Sequence, residues 1–176
     1  MQTAWKVFAV GALAPLSVSV YATTYLSVAQ AQAQIFPGEK LSPVTLTVSD
    51  EQVRAIERAS GVDVRNRSPA LWRSAGGAWL IVDEVVGKHE FITFALGITS
   101  GGAVKQVEIM DYRESYGHEV RGELWRRQFV GKTAAQSVKL TGDIENIGGA
   151  TLSSKNVTNG VRRLLHTWDQ VLRKLN

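Results

Sequence analysis

The sequence contains no cysteine, and this absence excludes several chemistries at once. Disulfides, thiolate metal sites, iron–sulfur clusters and cysteine nucleophiles all need that side chain, and none of the 176 residues supplies it. Histidine is also scarce, and no two histidines stand at ligand spacing, so we expect no metal site. The three are His89, His118 and His166.

Familiar enzyme signatures are absent as well. The chain has no Gly-x-Ser-x-Gly elbow, no His-Glu-x-x-His motif and no Walker lysine. We find no side chain placed as an acid or base for substrate turnover and name no catalytic residue. The net charge of +4 is mild and is not gathered into a lysine and arginine stripe, so we expect no nucleic-acid partner.

Charge is missing altogether from one long N-terminal stretch. After Lys6, the segment from Val7 to Val28 has no charged residue and is mostly small and apolar. The alternating alanines that follow offer a signal-peptidase site, and we predict cleavage after Ala33, with Ala31 as the second choice. An uncleaved membrane anchor is the alternative, because about 20 apolar residues can span a bilayer. Export without cysteine fits a bacterial periplasm.

The remaining chain predicts a linker over residues 34–48 and one domain over residues 49–176. Ser49 and Gln52 form a capping box that starts a short helix ending near Gly61. Residues 62–75 read as irregular. Three strand patterns with glycine turns follow and predict an antiparallel meander. Their bounds are Trp79–Val86, His89–Ile98 and Ala103–Tyr112.

Helical patterns supply the cover for this sheet. A short helix is predicted over Leu124–Phe129, and it is stopped at Gly131. A longer amphipathic helix follows Ser154, with apolar residues from Val157 to Leu175 at helical spacing. The predicted fold class is therefore α+β, with a meander covered by the capped N-terminal helix and the C-terminal helix.

Two glycines and three hydroxyl residues stand where the C-terminal helix begins, in residues 148–154. A helix N-terminus presents unpaired N–H groups and a partial positive charge, which suits a phosphate. Glycines let the backbone approach a ligand closely. The simpler interpretation is that Ser153 or Ser154 is only an N-cap and the glycines only a turn.

Residues 149–154 read Gly-Ala-Thr-Leu-Ser-Ser, and this pattern resembles the covalent flavin-attachment motif of the FMN-binding domain family. That family includes the flavin-carrying subunits of ion-pumping NADH:quinone oxidoreductases. The resemblance implies that Thr151 is esterified to the phosphate of FMN by a separate flavin transferase, with FAD as donor. The family usually has aspartate and serine or threonine where this chain has Glu145 and Gly148. The implied neighbours of the attached cofactor are Gly149, Ala150, Leu152, Ser153 and Ser154.

A second block, before the motif, also resembles the family. It is a glutamate-and-glycine segment that leads into a short helix, carried here by Glu114, Gly117, Glu119, Trp125, Gln128, Phe129 and Gly131. The resemblance places Gly117 and Glu119 near the flavin, with Tyr116, Trp125 and Tyr112 as candidate walls for its ring. For Tyr116 and Trp125 an ordinary packing role stays open, and for Phe129 we favour it.

The expected function is that of an exported flavoprotein with covalent FMN, which passes electrons between a membrane-bound redox partner and another carrier. We expect an electron carrier before an enzyme. An exported binding or accessory module with unmodified Thr151 is the alternative, and the residues that favour it are Gly148 and Glu145. A flavin reductase acting on a diffusible acceptor is a third possibility.

Overall fold

The computed structural model describes residues 23–175. Within them lie six strands, four α-helices and two 3-10 helices, at His118–Arg121 and Leu172–Lys174. No helix in this part of the chain is long and apolar enough to cross a membrane. The strands are β1 (Thr23–Thr24), β2 (Leu41–Val44), β3 (Ala70–Ser74), β4 (Trp79–Val86), β5 (Phe91–Ile98) and β6 (Val104–Tyr112). The helices are α1 (Val28–Ile35), α2 (Asp50–Ser60), α3 (Glu123–Arg127) and α4 (Thr151–Gln170).

The strands form one antiparallel sheet in the order β2-β3-β4-β5-β6-β1. Five consecutive strands make the meander, and β1 returns to pair with the far edge of β6. The predicted α+β class is confirmed. Short turns join the central strands: the Gly87 N–H donates to the Glu90 carbonyl, and Gly102 adopts φ +83°, which glycine tolerates without strain.

Two strands at one side of the sheet come from segments that the sequence pattern assigns otherwise. Residues 41–44, within the predicted linker, form β2, and residues 70–74, within the predicted irregular segment, form β3. Both are short, and Pro43 lies in β2, at the outer edge of the sheet. Proline has no N–H for a ladder bond and is tolerated at such an edge. Neither strand shows the clear apolar alternation on which a prediction depends.

Each face of the sheet is covered by a different helix. The long helix α4 packs on one face with the main core, which includes Phe94, Phe129 and Val157. Helix α1 covers the opposite face through Ala31 and Ile35. The predicted cleavage point, Ala33, lies between these two buried residues of α1.

Helix α2 agrees with its prediction at both ends. The Ser49 hydroxyl accepts a hydrogen bond from the Gln52 N–H, and the Gln52 side chain accepts one from the Ser49 N–H. Gly61 ends the helix in the left-handed conformation. Its buried residues Val53 and Ile56 form a small third cluster with Val171, so α2 packs beside the end of α4.

Candidate functional site

The N-terminus of α4 has no side-chain cap. The helix begins at Thr151, and its N-cap residue is Ala150, which has no side-chain acceptor for the N–H groups of the first turn. Helices α1 and α2, in contrast, each start with a serine capping box. The first turn of α4 also has no acidic residue. Its free N–H groups and the helix dipole are therefore available to an anionic group.

The interpretation of Ser153 or Ser154 as the N-cap is wrong. Both lie inside the first turn of α4, and their relative exposures are 4% and 0%. The Ser154 hydroxyl has no hydrogen-bond partner among the described residues. In this conformation neither hydroxyl reaches the solvent-facing side of the helix start, where Thr151 stands.

Thr151 is exposed and directly accessible from solvent. Its Oγ1 accepts a hydrogen bond from Asn146 Nδ2 at 3.1 Å. A Cβ added at Gly148 or Gly149 would meet nothing within 4 Å, so open space lies beside both glycines. Gly149 has φ +84°, a conformation that disfavours other residues. The glycines thus leave a bare backbone next to an exposed hydroxyl, which fits a bulky phosphorylated group.

Helix α3 fixes the loop that leads to this hydroxyl. The Trp125 indole N–H donates to the Glu145 carbonyl at 2.8 Å, and the Glu145 N–H donates to Gln128 Oε1 at 2.8 Å. Trp125 is buried and makes an edge-to-face contact with Phe129, with ring centroids 5.2 Å apart. Trp125 therefore packs in the core and holds the loop before Thr151 through its indole nitrogen.

The two sequence blocks meet at Gly117. A Cβ at this residue would lie 2.5 Å from the Tyr112 hydroxyl oxygen and 2.6 Å from Ser153 Oγ. Gly117 also has φ +93°. Only glycine therefore lets the segment after β6 lie against the first turn of α4. This contact joins the central strands to the helix that carries Thr151.

Tyr112 joins the same cluster through its hydroxyl. The Tyr112 O–H donates to the Tyr116 carbonyl, and Ser153 Oγ lies 2.9 Å from the Tyr112 hydroxyl oxygen. Since the phenol has one hydrogen, the serine is the donor in the second bond. Burial raises the pKa of Tyr112 above its ordinary value, so the phenol stays protonated near neutral pH. Tyr112 is a support for the site and not an exposed ring wall.

Three apolar side chains near these elements are left to solvent. Tyr116 is 84% exposed, Leu124 is 82% exposed, and Leu152 is 47% exposed. Tyr116 precedes Gly117, Leu124 lies in the first turn of α3, and Leu152 follows Thr151. Glu119 is also exposed, in the 3-10 helix after Gly117. Of the aromatic wall candidates, Tyr116 is the one whose ring is free to contact a flavin.

Sequence reasoning missed two residues at the site. Asn146, which donates to Thr151, has no part in the pattern of residues 149–154. Lys155 is exposed one turn along α4 from Thr151, at the i,i+4 spacing that places two side chains on one helix face. Asn146 could be found only from the loop geometry, whereas the helical spacing of Lys155 was readable in the sequence.

The loop before the motif depends on one carboxylate. Asp143 Oδ2 accepts hydrogen bonds from Ser137 Oγ at 2.6 Å and from the Val138 N–H at 2.5 Å. The Ser137 bond, with help from the Val138 amide, lowers the pKa of Asp143 below its ordinary value of 3.8. Val138 is fully buried at φ +41°, an uncommon conformation for a β-branched residue. Asp143 therefore holds a strained turn.

Comparison with known families identifies the domain. Residues 87–166 match the family model of the FMN-binding domain. The matched range contains β5, β6, α3, the loop before Thr151 and most of α4. No curated protein matches the chain. The match indicates an FMN-binding domain in residues 87–166, which suggests a flavin-binding protein.

Proposed function

We propose that this protein carries FMN covalently on Thr151 and works as an exported electron carrier. The observation that carries the proposal is the uncapped start of α4, with an exposed threonine at its first position and open space beside Gly148 and Gly149. An attached phosphate at this point would face the free N–H groups of the first turn. The FMN-binding domain match and the family motif at Thr151 agree with this placement.

Attachment is a transfer of a flavin mononucleotide group from FAD. The Thr151 hydroxyl oxygen attacks the phosphorus next to the riboflavin, a new phosphoester bond forms, and the pyrophosphate bond of FAD breaks. AMP leaves, and the threonine proton goes to solvent or to a base on the transferase. The protein gains the mass of FMN minus water. We propose that a separate flavin transferase catalyses this transfer, as the resemblance to the family implies.

The phosphodiester formed in this way keeps one negative charge. The helix dipole at the start of α4 stabilises such a charge by roughly 0.3–1 kcal/mol at an exposed position. Asn146, which donates to Thr151 Oγ1, stands beside the ester oxygen. Lys155, one turn further along, supplies the matching positive charge. The exposed ring of Tyr116 and the side chains of Leu124 and Leu152 offer apolar contact to the isoalloxazine.

FMN, once attached, supplies one- and two-electron redox chemistry, and the protein supplies its position. The flavin would lie at the surface, because Thr151 and its flanking glycines are exposed. A surface flavin suits electron exchange with a second protein, and we propose a membrane-bound redox partner as one side of that exchange. Covalent attachment suits an exported protein, since a dissociated flavin would be lost outside the cytoplasm. We place the protein in a bacterial periplasm.

The intact mass of protein co-expressed with a flavin transferase tests the proposal. We expect a mass increase of FMN minus water, which is lost in Thr151→Ala because the attacking oxygen is gone. Thr45→Ala changes an exposed threonine away from the motif and is the matched control, which keeps the added mass.

An unmodified wild-type mass with normal circular dichroism would sink the covalent proposal. It would favour the hypothesis of an exported accessory module, in which Glu145 and Gly148 prevent recognition by the transferase. Reduction of a small diffusible acceptor at high turnover, without any partner protein, would instead favour a flavin reductase.

A further inference from the structure

Residues 23–36 are built into the sheet and are not a tail. Strand β1 pairs with β6, with Thr23 opposite Tyr112 and Thr24 opposite Asp111. The ladder continues as the Tyr25 N–H donates to the Met110 carbonyl at 2.8 Å. Helix α1 then opens with a complete capping box at Ser27. This segment therefore has the paired backbone and the capped helix of a structural element.

Helix α1 seals the face of the sheet that α4 does not cover. Ala31 and Ile35 are fully buried, and they pack with Phe36 on Leu80, Ala95 and Met110. A Cβ at Gly97 of β5 would lie 2.2 Å from Ile35 Cγ2, so the sheet has a glycine where the end of α1 crosses it. Removing α1 would expose this apolar layer to water.

The same segment supports the flavin-attachment site from behind. The Tyr25 ring centroid lies 3.4 Å from the Arg121 guanidinium carbon, and Arg121 ends the 3-10 helix that follows Gly117. Strand β1 also covers the edge of β6 at Tyr112, whose hydroxyl bonds to Ser153. Cleavage after Ala33 would remove both supports and would cut α1 between its buried residues.

The sequence offers a cleavage point before this segment. A signal peptide has an apolar core of about 7–15 residues followed by small residues at the cleavage site. The segment from Val7 to Val20 is an apolar core of about this length. For a cut between Ala22 and Thr23, alanine stands directly before the bond, and Val20, with its short side chain, stands two residues earlier. For cleavage after Ala33, the core counted in the same way would run from Val7 to Ala31, well beyond the usual upper limit of about 15 residues.

We propose that the exported chain is cleaved between Ala22 and Thr23, so that the mature protein begins with β1. This inference rests on the export that forms part of the proposed function. A signal peptidase hydrolyses the peptide bond with one water, which leaves a carboxylate on Ala22 and an ammonium group on Thr23. The mature chain then keeps every element that covers the second face of the sheet.

The proposal is tested by expressing the full chain in a Gram-negative host together with a flavin transferase. The N-terminal sequence and the intact mass of the product are then measured. We expect a mature chain of residues 23–176. Ala22→Leu places a large side chain beside the bond, and we expect the unprocessed precursor to accumulate. Ala33→Leu is the matched control, because Ala33 is exposed on α1, and we expect processing as in the wild type.

An N-terminus at Gln32 or Gln34, an uncleaved wild-type chain, or a block by Ala33→Leu would overturn the proposal. The FMN mass is read independently in the same spectrum. A flavin-free chain that begins at Thr23 would sink the proposed function alone, and a flavinylated chain that begins at Gln34 would sink the processing site alone.

A second measurement checks the structural argument without export. The chain expressed in the cytoplasm from Thr23 onward should melt more than about 10 °C above the chain expressed from Gln34 onward, because the latter lacks β1 and most of α1. Equal melting temperatures would contradict the role given to residues 23–33.

Discussion

Gly117 is the residue at which the two halves of the site touch. Its left-handed backbone conformation and the lack of a side chain are separate requirements, because an added Cβ would overlap both the Tyr112 hydroxyl and Ser153 Oγ. A position that needs both properties tolerates substitution less well than one that needs conformation alone. Gly131 is such a simpler position, since it has φ +81° with nothing within 4 Å of an added Cβ.

We predict that Gly117→Ala destabilises the protein more than Gly131→Ala does. The backbone strain costs about 1–2 kcal/mol at either residue. The overlap with Tyr112 and Ser153 adds about 1–3 kcal/mol at Gly117. Urea denaturation gives both free energies of unfolding. Equal losses in the two variants would contradict the tight contact between the segment after β6 and the start of α4.

At the scale of elements, neighbouring segments hold the loop that leads to Thr151 in place. Helix α3 is short, yet Trp125 within it binds the Glu145 carbonyl, and Gln128 at its C-terminal end binds the Glu145 N–H. The loop of residues 137–144 is held from inside by Asp143. These two anchors set the path of the chain into Thr151.

The Asp143 anchor predicts a pH dependence of this loop. The pKa of Asp143 is lowered in the folded protein, so its ionised carboxylate stabilises the fold at pH values above the ordinary pKa of 3.8. This stabilisation is lost as the pH falls through the lowered pKa. We expect the hydrogen-exchange protection of the Val138 amide to fall between about pH 5 and pH 2. Asp143→Asn should reduce that protection at pH 6 and remove its acid dependence. Protection that is unchanged in the variant would show that the strained turn has another support.

At the scale of the whole molecule, one buried ion pair ties α4 to the sheet. Arg163 Nη2 lies 2.8 Å from Asp83 Oδ2, and the two side chains are 6% and 5% exposed. Arg163 also donates to the Asp63 carbonyl, in the segment after α2. Arg163 thus connects β4, α4 and the segment after α2 at one point.

We predict that Asp83→Asn lowers the free energy of unfolding by about 3–5 kcal/mol, because Arg163 is left as a buried and unpaired charge. Glu123→Gln breaks a matched surface pair with Arg127, both 68% exposed, and should cost less than about 1 kcal/mol. Denaturant unfolding of both variants gives the comparison. Similar small losses would mean that water reaches Arg163 and that the pair adds little.

The folded unit is larger than the part that matches the family. The match spans residues 87–166, and six elements lie entirely before it: β1, α1, β2, α2, β3 and β4. These earlier elements extend the sheet and cover its second face. The matched segment is therefore paired with, and packed against, elements from the N-terminal half.

The sequence by itself determined the elements whose signals are local. The capping box at Ser49 and the β-branched run of Trp79–Val86 gave the correct helix start and the correct strand bounds. The Gly-Ala-Thr pattern indicated the FMN-binding domain, because a motif at a helix start is contiguous in the chain. The periodicity after Ser154 likewise predicted the long C-terminal helix.

Only the tertiary structure decided which features lie together across the chain. Strand β2 and helix α1 are stabilised by partners far away in sequence, and local periodicity does not predict such contacts. As candidate ring walls, Trp125 and Tyr116 looked equivalent in the sequence, yet Trp125 is buried beside the loop before Thr151 and Tyr116 faces solvent. Burial depends on the packing of every neighbouring element. The sequence therefore determines residue types and their spacing, whereas the fold determines which side chains remain free to contact a ligand.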